Sequence, residues 1–193
     1  MATTELREGQ IILPKTRLCY PKLWEAQAMK NDPTSKPRFG AELLLPKTDI
    51  KTKAKLDKEI KRLADLHFKG VIPKSKDLFI KDGDHEDFSN RPETDGHWVI
   101  SANRAENQGR PKIVDKNPSV ALIPSDGRPY AGCYVAALIG IFKPDNWAKI
   151  TAGLEIVQFA DDGERFGATV PNAEDIMPDL GPDDDAEPEA FEA

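Results

Sequence analysis

Tyr20, Lys22 and Trp24 alternate along one stretch of the chain, and Lys36, Arg38 and Phe39 follow shortly after. In an unbroken strand the first three face one side, because side chains alternate with period two. Lys15 and Arg17 have the opposite parity. Cations that track phosphates and aromatic faces on which bases stack are what a sequence-tolerant binder of single strands requires. Trp98, Arg104, Arg110, Lys112, Tyr130 and Tyr134 add residues of the same two kinds. Each aromatic has a plainer role open to it, since a Tyr or Trp in a small barrel is commonly core. Lys51, Lys53, Lys55, Lys58 and Lys61 read first as a solvated helix face.

Other chemistries find less support. The three histidines (67, 85, 97) and two cysteines (19, 133) show none of the paired spacings of a zinc site. Asp82-Gly83-Asp84-His85-Glu86-Asp87 is oxygen-rich but lacks the glycine and distal glutamate of a calcium loop. The chain has no Gly-x-Ser-x-Gly, no phosphate-cradling glycine loop and no His-Glu-x-x-His. Asp161, Asp162 and Glu164 have the side chains of a Mg²⁺-dependent nuclease. Neighbouring carboxylates in an Asp-Asp-Gly turn point apart, however, so a hairpin tip is the expected role. No metal, no cofactor and no enzymatic activity are expected.

The elements that must position these residues are short. The 16 prolines fall mostly between apolar runs, which suits strands separated by loops. Strands are expected at 11–13 and 16–24 (one strand broken early by Pro14), 38–45, 97–102, 112–115, 120–123, 132–142 and 149–160. The spacing of Leu56, Ile60, Leu63 and His67 predicts one clear helix over 52–68, capped by Asp49 or Thr52 and ended near Gly70. Residues 72–80 are ambiguous, 82–96 read as a loop, and 161–167 resemble a hairpin turn. Short strands with a single helix point to a mainly β, OB-fold-like small antiparallel barrel. An OB-fold commonly places its helix between strands 3 and 4, whereas this one follows the second strand.

The net charge of −6 hides a division. Residues 171–193 hold nine acids and no Lys or Arg, which leaves 27 basic and 24 acidic residues in 1–170. The body is therefore +3 and the tail −9, an asymmetry that favours nucleic-acid binding. The proline- and acid-rich composition of 172–193 predicts disorder, so the expected division is a binding domain, 1–171, and a disordered acidic tail, 172–193. Asp183, Asp184, Asp185 and Phe191 then read as a short peptide that docks on a protein partner. The absence of a basic-apolar leader and of a long apolar run sets a reduced, cytoplasmic protein as the expectation.

Residues 152–167, Ala-Gly-Leu-Glu-Ile-Val-Gln-Phe-Ala-Asp-Asp-Gly-Glu-Arg-Phe-Gly, resemble the closing segment of a family of tailed-phage single-stranded DNA-binding proteins. That family was long known only as a domain of unknown function. Arg110-Pro111-Lys112-Ile113-Val114-Asp115, Tyr130-Ala131-Gly132-Cys133-Tyr134-Val135 and Arg38-Phe39-Gly40-Ala41-Glu42-Leu43 are similar to its motifs. The resemblance covers roughly residues 10–170. It implies an OB-fold core, an acidic C-terminal tail, and protection of single strands during phage DNA replication and recombination in the bacterial cytoplasm. Such proteins often end on or beside an aromatic, whereas Phe191 here is followed by Glu192 and Ala193. The resemblance maps no individual DNA contact. The alternative is an adaptor that acts through its acidic tail alone, without coating DNA.

Overall fold

Strict burial alternation runs through β6 (Tyr134–Phe142), the segment with the strongest apolar run, and this is the signature of a strand with one face on the core. The computed structural model describes residues 5–28 and 32–167. The other strands are β1 (Gln10–Gln27), β2 (Arg38–Pro46), β3 (Ile80–Asp82), β4 (His97–Ala105), β5 (Lys112–Val114) and β7 (Thr151–Asp161). They hydrogen-bond in the order β3-β4-β2-β1-β6-β7-β5, and a further β4–β7 pairing closes the five central strands into a barrel.

The seam is short and parallel, formed by Ala102 opposite Ala152 and Asn103 opposite Gly153. On either side of it β4 and β7 separate and pair with the short strands β3 and β5. The barrel order is that of a five-stranded, partly open Greek-key barrel. The one α-helix among the described residues, α1 (Ile50–His67), enters between the second and third barrel strands.

Asp49 caps α1 by accepting a hydrogen bond from the Thr52 backbone N–H at 3.0 Å. Thr52, Leu56, Ile60, Leu63 and Ala64 form its buried stripe, against β1 and β6. His67, placed on that stripe by spacing, is exposed, and Ala64 takes the inward position. Past the helix Lys69 and Gly70 both have positive φ (53° and 81°), and the Gly70 N–H returns to the Ala64 carbonyl. The expected strand at 120–123 is reduced to one bridge between Val114 and Ala121, with Val120 and Ile123 exposed. No tight hairpin forms at 161–167; after β7 the chain turns back beside residues 130–132.

The barrel interior is filled by Leu13, Leu18, Leu43, Leu45, Ile100, Ile139, Leu154 and Phe159, all fully buried. Truncating Leu43 to Ala at such a site leaves a cavity and costs about 2–5 kcal/mol. Urea unfolding should show that loss, and a cost under about 1 kcal/mol would contradict the packing described. A second, smaller cluster lies outside the barrel, where Cys19, Leu44 and Val99 are covered by Phe88 and Phe166. Among the described residues no helix is long and apolar enough to cross a membrane.

Candidate nucleic-acid interface

The pairing of β1 has three irregularities that alternation alone does not reveal, the last between Lys22 and Gln27, and the first two set the faces of residues 15–22. Pairing with β6 slips by one residue between Leu13 and Thr16, and pairing with β2 slips by one between Cys19 and Lys22. Each extra residue exchanges the inward and outward faces of everything after it. Lys15, Arg17, Cys19 and Lys22 therefore share the outer face, which corrects the expected separation of Lys15 and Arg17 from Lys22. The second bulge falls at Tyr20-Pro21, where proline has no ladder N–H to lose. Tyr20 has φ 44° and is 59% exposed.

Across this face Arg17 lies opposite Leu44 on β2 and Tyr134 on β6, and Tyr134 lies opposite Asp161 on β7. The Lys15 ammonium sits 4.8 Å from the centre of the Tyr134 ring and the Arg17 guanidinium 5.8 Å from it. Asp161 accepts hydrogen bonds from Lys116 at 2.9 Å and Lys15 at 3.3 Å. Those bonds, Lys116 first, hold its carboxyl below the usual carboxylate range. A phosphate approaching Lys15 must therefore compete with Asp161. Asp162 accepts instead from the Tyr130 hydroxyl at 2.8 Å, so the two adjacent carboxylates serve different partners.

The segment after β7 is laid onto the same face. Phe166 donates its N–H to the Ala131 carbonyl, while Arg17 donates from Nε to Gly132 O (3.1 Å) and from Nη2 to Glu164 O (2.9 Å). The Arg17 guanidinium lies 4.3 Å from the Phe166 ring centre. Gly132, at φ 101°, lets the two backbones close up, because a Cβ there would strike the Glu164 carbonyl. Tyr20 is backed by Arg91 at 4.8 Å. Arg91 is fixed by Glu42 (2.7 Å) and Glu93 (3.0 Å). Burial opposes its charge, and those two carboxylates more than compensate, so it titrates above its ordinary range.

A second group gathers where β1, β2 and β4 meet at Gln27, Arg38 and Ala105. The half-buried Trp24 packs on the core with Arg110 5.6 Å from its ring centre. Lys36, Arg38 and Lys112 are exposed. Arg104 is tied to the carbonyls of Gln108 and Gly109. Phe39 is buried opposite Arg104.

Trp98 lies apart, about 23 Å along β4 from Ala105. It packs on the core, with Lys53 at 4.4 Å and Lys47 at 5.0 Å from its ring centre. Tyr130 is also engaged, with its ring on the core and the Arg165 guanidinium 3.9 Å from its centre. The acidic loop at 82–84 has a structural task, since Asp82 and Asp84 both clamp Lys47. Asp183, Asp184, Asp185 and Phe191 lie outside the described residues.

Three further candidates are not evident from the sequence. Phe166 falls in an apparent turn, and Arg91 in an acidic stretch. Trp147 is 60% exposed in the loop between β6 and β7, with Lys149 4.3 Å from its ring centre. A tryptophan among Lys143 and Lys149 in a polar loop was the available signal. In OB-folds the face of strands 2–3 and the loops after strands 1 and 4 bind oligonucleotides. Here the loops carry Lys36 and Trp147, while Leu44 and Val99 on the strand face are covered by Phe88 and Phe166.

A family model described as Enterobacter phage Enc34, ssDNA-binding protein, matches residues 9–188. A protein designated p50, from Acyrthosiphon pisum secondary endosymbiont phage 1, is 30% identical over 182 residues, covering 86% of this chain and 92% of its own. The single-stranded DNA-binding protein from bacteriophage Enc34, solved in complex with ssDNA, superposes with a TM-score of 0.70 at 28% identity. That match covers 86% of this chain and 97% of the Enc34 chain. The gp2.5 single-stranded DNA-binding protein of bacteriophage T7 shares the fold at a TM-score of 0.54 and 12% identity, over 89% and 96% of the two chains.

Proposed function

Since the chain belongs to the family of the Enterobacter phage Enc34 ssDNA-binding protein, we propose that it coats single-stranded DNA without sequence preference, in phage DNA replication or recombination inside the bacterial host. The observation that carries this reading is the outer-face row of Lys15, Arg17 and Tyr134, on a fold shared with a relative solved on ssDNA. Bases stack on Tyr20, Trp24 and Tyr134, and the strand continues toward Trp147. About 4–6 phosphates are neutralised at a time, by cations drawn from Lys15, Arg17, Lys22, Lys36, Arg38, Arg104 and Lys112. Phe39, Trp98 and Tyr130 are assigned to packing, because each is buried or engaged as described above. Residues 1–171 form the binding domain, and 172–193 an acidic tail that competes for the basic face and docks protein partners through Asp183, Asp184, Asp185 and Phe191.

Base–aromatic stacking is worth about 1–3 kcal/mol per base. Trp24→Ala and Tyr134→Ala should therefore each weaken oligo-dT binding roughly tenfold or more, with the folded state retained by circular dichroism. Unchanged affinity in both variants would remove these residues from the interface. An adaptor that works through its tail alone would bind no oligonucleotide in either form.

A further inference from the structure

Building on the single-strand reading above, we propose that Tyr20 and Phe166 are the two walls of a clip for one unpaired nucleobase. Both rings line a cavity of about 540 Å³ on the outer face, together with Arg17, Cys19, Ala131 and the acidic residues Glu93 and Glu164. That volume lies within the range of small-ligand sites. The walls come from opposite ends of the chain, one from the β1 bulge and the other from the segment after β7. Nothing in the core requires Tyr20, which is 59% exposed and held at φ 44°. A non-glycine residue at positive φ is uncommon, and such strain gathers at sites that hold ligands.

Each ring has an anchored guanidinium against it. Arg91 lies 4.8 Å from the Tyr20 ring centre and is itself anchored by Glu42 and Glu93. Arg17 lies 4.3 Å from the Phe166 ring centre and is anchored by the carbonyls of Gly132 and Glu164. Phe166 also rests on Cys19, Leu44 and Val99, so its position is fixed before any ligand arrives. Rings held in place in this way lose little freedom on binding. Cys19 adds no charge at neutral pH, because burial pushes its thiol up to about 12, and the Glu93 carboxylate in the lining is paired with Arg91. An aromatic-walled slot beside Lys15 and Arg17 for the adjoining phosphates fits a stacked base in a strand of nucleic acid.

Phe166→Leu and Phe166→Trp separate stacking from packing. Leucine keeps an apolar side chain on Cys19, Leu44 and Val99 but offers no π face, whereas tryptophan keeps both. The clip predicts that Phe166→Leu binds oligo-dT roughly tenfold more weakly while Phe166→Trp binds like the unaltered chain. Against an oligonucleotide of abasic sites, the gap between Phe166→Leu and the unaltered chain should close. Equal affinity for oligo-dT would overturn the clip, as would an equal loss on abasic DNA, which would mark Phe166 as purely structural. Should the unaltered chain itself fail to bind oligo-dT, the single-strand reading falls. Binding by the unaltered chain with no effect of Phe166→Leu removes the clip alone.

Discussion

Deleting residues 172–193 should tighten single-strand binding by roughly tenfold or more at low salt, with the gain shrinking as salt rises. The expectation rests on charge placement. The deleted segment carries nine acids and no basic residue, and the remaining body is net basic. Gly167, the last described residue, lines the same cavity as Arg17 and Tyr20. A flexible chain of this length has a root-mean-square reach of about 25 Å. Held so close, a tethered polyanion acts at millimolar effective concentration. Fluorescence anisotropy with labelled oligo-dT measures the change directly. Unchanged affinity would exclude competition and leave the tail a partner-docking role only.

Salt should weaken binding steeply. With about 4–6 phosphates neutralised on single-stranded DNA, log K falls against log salt with a slope near −3 to −4. Between 50 and 200 mM salt that amounts to a loss of roughly 60- to 250-fold. Lys15→Ala should reduce the slope by about 0.7. Tyr134→Ala should lower affinity while leaving the slope in place, since a stacking face releases no counterion. A slope near zero would refute the electrostatic half of the interface.

Much of the barrel can be read from local pattern. Alternation marks β6, and the spacing of Leu56, Ile60 and Leu63 marks α1, because each of these elements has one continuous buried face, whereas β2 is an apolar run buried on both faces. The faces of β1 could not be read in this way. Alternation carries across a strand only if no residue is inserted; Pro14 and Pro21 mark where it is disturbed, but not that each site adds one residue and so brings Lys15 and Arg17 to the side of Lys22.

Trp24 and Tyr134 were legible as residue types, but not their neighbours, since Arg110 and Arg17 approach them from other elements. Phe166 was illegible for a related reason. Its task depends on the Gly132–Gly163 close approach and on an apolar patch outside the barrel, both products of tertiary structure. The mirror case is His67, whose helical spacing fits the stripe although it stands in solvent at the end of the last turn.

The central claim is that the described domain binds unpaired DNA through its outer face. Its most direct test is equilibrium anisotropy of the full-length chain against labelled oligo-dT and against a duplex of the same length, both in 50 mM salt. The account predicts saturable binding to the single strand and markedly weaker binding to the duplex, with Tyr134→Ala lowering the single-strand affinity roughly tenfold. Failure of the folded chain to bind the single strand, or equal affinity for the two forms with no effect of Tyr134→Ala, would contradict it.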